Sequence, residues 1–94
     1  MKNYEVMYIL TPMKEEEVKR INKKIRDTIE NNGGQVEKED LWGIRHLAYE
    51  IRYYEKGFYV LTSFKAERET IAELDRVMKI QDEVLRHMII RKGE

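Results

Sequence analysis

The spacing of apolar positions changes period along this chain, and the changes mark out its elements. Asn3 to Leu10 (NYEVMYIL) is dense in Tyr, Val and Ile and predicts a first strand. Thr11-Pro12 stops it, since proline lacks a backbone donor and suits the entrance of a helix. Glu15, Glu16 and Glu17 then place negative charge where a helix macrodipole favours it. Val18, Ile21, Ile25 and Ile29 follow at steps of three, four and four, one apolar stripe on an otherwise Lys-, Arg-, Asn- and Asp-rich helix. Asn31-Asn32-Gly33-Gly34 supplies residues that tolerate a left-handed helix end.

The period then drops to two. Gln35 to Tyr53 reads as extended, with Gly43 marking a bulge or bend, and Leu47, Tyr49, Ile51 and Tyr53 alternating with more polar residues. Tyr54-Glu55-Lys56-Gly57 is the expected hairpin turn, and Phe58 to Lys65 the return strand. Glu67 to about Ile80 predicts a second helix with Ile71, Leu74, Val77 and Met78 inward and Glu69, Glu73 and Arg76 outward. Val84 to Arg91 closes the series as a strand, with no linker or repeat anywhere.

The order β-α-β-β-α-β is the split β-α-β pattern of α+β, ferredoxin-like domains. Right-handed crossovers place both helices on one face of a four-stranded antiparallel sheet, strands one and three in its middle. Residues 1–94 are expected to form one such domain. Neighbouring strand residues point to opposite faces, so Tyr4, Met7, Tyr8, Tyr49, Tyr59 and Leu61 cannot all lie beneath the helices. Some aromatic surface is expected on the open face, as a candidate interaction site.

Composition narrows the functions. Eighteen basic and eighteen acidic residues cancel, which argues against a sequence-blind polyanion binder while leaving room for a local basic patch. The chain has no cysteine, so disulfides, thiol catalysis and Cys-ligated zinc drop out. MKNYEVMYIL alternates and lacks a small-residue cleavage site, and no apolar run approaches the ~20 residues of a membrane helix; a cytosolic chain is expected.

No catalytic constellation emerges. His46 and His87, the only histidines, fall on separate strands, and Ser63, the only serine, lies mid-strand without a signature. Gly33-Gly34 follows a helix rather than preceding one, as a phosphate loop does. The acylphosphatases share this element order, but their phosphate loop corresponds here to Thr11-Pro12-Met13-Lys14, without the arginine or the glycines. No cofactor, metal or small-molecule substrate is expected. Lys56-Gly57-Phe58 begins like the main motif of an RNA-recognition domain, yet Val60 and Ser63 stand where stacking aromatics are required. An inner strand after a turn is the preferred reading.

The hairpin's first arm is more specific. Gly43-x-Arg45-His46-Leu47-Ala48-Tyr49-x-Ile51-Arg52 resembles the signature of the ribosomal protein S6 family of the bacterial small subunit. Met1-Lys2-Asn3-Tyr4-Glu5, Glu37-Lys38, Asp40-Leu41-Trp42-Gly43, Lys56-Gly57-Phe58-Tyr59 and Asp82 to Met88 extend the likeness over nearly the whole chain. The resemblance implies a non-catalytic, cytoplasmic protein of the small-subunit platform that contacts the small-subunit (16S) ribosomal RNA beside the basic ribosomal protein S18. Family members often carry a tail after the last strand; here only Lys92-Gly93-Glu94 follow Arg91, so no tail contact is carried over.

On that reading the candidate RNA contacts are Lys2, Arg45, His46, Arg86 and Lys92, with Arg52 and Arg91 expected to be ordinary surface charges. Trp42, Tyr49 and Tyr59 are the candidate anchors for a protein partner. The alternative is a ferredoxin-like module that dimerises through its open face or binds a small ligand there.

Overall fold

The computed structural model describes residues 1–93, and Glu94 lies outside them. Its elements are β1 (Lys2–Leu10), α1 (Glu15–Asn31), β2 (Gln35–Ile51), β3 (Tyr54–Ala66), α2 (Arg68–Ile80) and β4 (Val84–Arg91). All strand pairs are antiparallel, in the order β2-β3-β1-β4, so β1 and β3 are central as the element order requires.

Registers explain how near-continuous apolar strands are divided between two environments. Tyr4, Val6, Tyr8 and Leu10 of β1 lie opposite Phe64, Thr62, Val60 and Phe58 of β3, and all eight are buried. Val18, Ile21, Ile25 and Ile29 of α1 pack onto them with Leu74 and Met78 of α2. Each buried aliphatic side chain contributes about 1.5–3 kcal/mol relative to exposure, so this one layer holds most of the fold's hydrophobic stabilisation. Asn22 breaks the polar-outside pattern of α1: it is buried and accepts a hydrogen bond from the Tyr8 hydroxyl at Oδ1. Burial pushes the Tyr8 phenol upward, so it stays a neutral donor.

Phe58 is among these buried residues, and Lys56-Gly57-Phe58 is therefore no stacking platform. The hairpin turn also lies earlier than the sequence suggests. Ile51 pairs with Tyr54, and the two turn residues are Arg52 (φ 49°) and Tyr53 (φ 68°). Two positive φ values are what a tight mirror-image hairpin turn requires, although neither residue is Gly or Asn. Gly57 serves another purpose. It lies within β3, where an added Cβ would collide with Ile9 and come 3.4 Å from Leu47 Cδ2. Its lack of a side chain lets the two strands' open-face residues close over it. Gly43 does mark a bulge, with φ at +87° and a register shift between Leu41 and Gly43.

Candidate RNA and protein interface

The second arm of β2 departs from a regular strand, and that departure builds the site. His46 lies opposite Lys56 and Ile51 opposite Tyr54, so Leu47 to Glu50 occupy a stretch where β3 has one residue, Glu55. A bulge of this size bends its strand. The hairpin thereby reaches over the open face as far as β4, on the opposite side of the sheet. Arg52 donates from Nη2 to the carbonyl oxygen of Asp82 at 2.8 Å, and more weakly to that of Val84 at 3.4 Å. The Arg86 guanidinium of β4 sits 5.5 Å from the Tyr49 ring centroid.

Beneath this arch lies a depression of about 270 Å³ walled by Ile9, Leu47, Tyr49, Ile51, Tyr59 and Met88, with Arg86 at its margin. Two of the three aromatic anchors, Tyr49 and Tyr59, thus share one apolar hollow. Trp42 is not part of its wall; the bulge before Gly43 leaves it partly exposed, with the Arg45 guanidinium 5.2 Å from its ring centroid. Tyr53, expected as the last residue of the extended segment, instead sits in the turn and is 94% exposed.

The basic candidates divide between two ends of the sheet. Arg45 lies opposite Gly57, His46 opposite Lys56, and Arg86 opposite Ile9, all at the hairpin end. Lys2 lies opposite Ala66 at the other end, about 24 Å away along β1 at ~3.4 Å per residue. Lys92 follows β4 at that far end, on the open face, and its ammonium is 3.6 Å from Glu5. Lys2 lines a surface recess with Tyr4, Arg91 and the first turn of α2. The five therefore form no single patch: three cluster and two lie apart.

Charge pairing separates the regions further. On the helices, Lys19, Arg20, Lys23, Arg26, Arg76 and Lys79 each meet a carboxylate, leaving only Lys24 and Arg68 without one among the described residues. At the hairpin end Arg45, Lys56 and Arg86 have no carboxylate partner among the described residues, and Arg52 is held by carbonyls. The sequence reading missed Lys56 and underrated Arg52, whose partners are thirty and thirty-two residues away. His87, by contrast, is turned toward α2, its Nε2 2.7 Å from Asp75 Oδ1, with its side chain 13% exposed. That bond and the Lys79 ammonium hold the Asp75 carboxyl below its usual range. His46 and His87 are thus kept on different elements with different neighbours, and no three metal-ligating side chains converge among the described residues. No helix of the chain is long and apolar enough to cross a membrane.

Comparison with known proteins places these features in a family. The profile described as ribosomal protein S6 matches residues 3–91. A small ribosomal subunit protein bS6 from Desulforamulus reducens is 55% identical, with all of both chains covered. The bS6 of Carboxydothermus hydrogenoformans is 46% identical over all of this chain and 99% of its own. Among solved structures, the 30S ribosomal protein S6 of Thermotoga maritima superposes with a TM-score of 0.90 at 28% identity, covering 97% of this chain and 87% of that one.

Proposed function

The chain belongs to the ribosomal protein S6 family, and from that premise we propose that it is a non-catalytic structural protein of the small ribosomal subunit in the cytoplasm, binding 16S ribosomal RNA together with ribosomal protein S18. The observation that carries the RNA half is the uncompensated charge at the hairpin end: Arg45, Lys56 and Arg86 meet no carboxylate there in a chain whose charges sum to zero. Phosphates neutralise such cations and release counterions, so affinity comes from local charge and not from the net value. Arg45 and Arg86 point from the open face and His46 with Lys56 from the other, since successive strand residues alternate. An RNA backbone passing the hairpin would meet cations on both sides. Lys2 and Lys92 form a second, weaker contact at the far end, and Lys92 must first release Glu5.

The apolar hollow under the hairpin supports the partner half. Tyr49 and Tyr59 line it and Trp42 lies farther along β2, a spread of aromatic anchors suited to a protein surface. Reconstitution tests the proposal. The chain and ribosomal protein S18 together are expected to bind small-subunit ribosomal RNA at physiological salt, with the chain alone binding far more weakly. Nanomolar binding by the isolated chain would remove the dependence on a partner, and a stable homodimer that ignores RNA would replace the proposal with the dimerisation module.

A further inference from the structure

The turn of the β2–β3 hairpin is the one place where the described backbone is forced into an unfavourable conformation by residues with side chains. Arg52 and Tyr53 both hold positive φ, which Gly and Asn adopt with little cost and a bulky aromatic does not. Strain of this kind persists where the surroundings impose it, and it concentrates at functional positions. Arg52 offsets the strain by bonding the carbonyls of Asp82 and Val84 across the surface. Tyr53 makes no such return: it is 94% exposed. The turn is therefore held from β4 by its first residue and presents its second, a flat aromatic ring, entirely to solvent.

The charges around this ring indicate what it meets. Arg45, Arg52, Lys56 and Arg86 stand against Glu50, Glu55 and Asp82 on the hairpin, β4 and the segment that Arg52 bonds, Glu83 being paired with Arg20. An aromatic face beside unpaired cations is how proteins hold single-stranded RNA, the ring stacking on a base while the cations follow the phosphates. A protein partner would be served by the apolar hollow, whose walls do not include Tyr53. We propose that Tyr53 is a stacking site for one unpaired RNA base, with Arg52 as the positioning residue that aims the turn. This rests on the RNA-binding reading above and adds to it a contact with a base where the cations contact only phosphates.

The test compares the full chain with its Tyr53→Ala, Tyr53→Phe and Tyr53→Gly variants at low salt. The probes are a labelled single-stranded oligouridylate and a blunt RNA duplex with the same number of phosphates. Tyr53→Ala keeps the strained backbone without the ring and is expected to lose about thirtyfold on the single strand, the middle of the range for one base stacked on one aromatic. Binding to the duplex should not change, and Tyr53→Phe should bind both probes as the parent does. Tyr53→Gly relieves the turn, so its melting temperature should rise while its affinity for the single strand falls as far as that of Tyr53→Ala. Upfield ring-current shifts of the Tyr53 ring protons on adding the oligouridylate give a direct signature. Equal binding of the single strand by all variants overturns the proposal, as does equal weakening on both probes or a lower melting temperature for Tyr53→Gly; each leaves the RNA-binding reading standing. A parent chain that binds neither RNA overturns the stacking proposal, and the reconstitution with ribosomal protein S18 then decides the RNA-binding reading separately.

Discussion

The helix layer and the hairpin end of the sheet use the same kinds of charged residue and arrange them in opposite ways. On α1 and α2, lysines and arginines sit beside carboxylates one turn away or across to the sheet, as in Lys23–Asp27 at 2.9 Å, Lys79–Asp75 at 2.9 Å and Arg26–Glu39 at 3.0 Å. Such exposed pairs stabilise little, on the order of 0–1 kcal/mol each, but they cancel the local potential. At the hairpin end Arg45 and Arg86 meet aromatic rings, Arg52 meets backbone carbonyls and Lys56 meets no carboxylate among the described residues, so their potential stands. The helix layer also covers the core, whereas the hairpin arches over an apolar hollow that stays open. A net charge of zero thus conceals an excess of cations at the hairpin end, balanced by carboxylates elsewhere on the strands and loops. In this protein the pairing of charges, more than their number, distinguishes the helix layer from the hairpin end.

The sharpest way to break that division is to remove side chains from each region. Ile25→Ala, under α1, should cost about 2–5 kcal/mol in urea unfolding, because a fully enclosed site leaves a cavity. Met88→Ala, on the open face and 57% exposed, should stay within about 0.5 kcal/mol of the parent. A comparable loss at Met88 would mean that the open face is a second core. The charges give the next largest contrast. Neutralising Arg45 and Arg86 together should reduce the slope of log affinity for RNA against log salt by about two, while neutralising Lys23 and Lys79 leaves it unchanged. Equal slopes for both double variants would end the claim that pairing decides which cations are used.

The smallest effect concerns acid. His87 first, then Lys79, hold the Asp75 carboxyl below its usual value near 3.8, so the folded state binds a proton there less readily than the unfolded chain. The stabilisation is present above that usual value and is lost as pH falls through the lowered one. Asp75→Asn should therefore flatten the acid side of the stability profile below about pH 4 and leave RNA affinity unchanged. The change should be slight, since the Asp75 side chain is 40% exposed and solvent screens the interaction.

Local pattern carried most of the architecture. The stripe Val18, Ile21, Ile25, Ile29 and the apolar, aromatic and β-branched runs of β1 and β3 depend on neighbours within one element, and every element but β3, which begins at Tyr54 and not at Phe58, was legible at nearly its observed bounds. The family likeness rested on residues 43–52 and was legible for the same reason, being a contiguous run. The turn was not. Gly57 looked like a turn glycine because glycine usually marks one, but its place is fixed by Ile9, forty-eight positions earlier in the chain and packed against it only in the folded sheet.

The sequence by itself therefore determined the order and type of the elements, the buried stripe of each helix and the irregularity at Gly43. All of these follow from short-range spacing. Only the tertiary structure decided that Leu47 to Glu50 form a bulge, that Arg52 reaches the carbonyls of Asp82 and Val84 at the start of β4, that Tyr53 is turned to solvent, and that Lys2 and Lys92 stand apart from Arg45, His46 and Arg86. Strand register and the curl of a hairpin across a sheet are set by contacts between distant segments, and those contacts exist only once the sheet has formed.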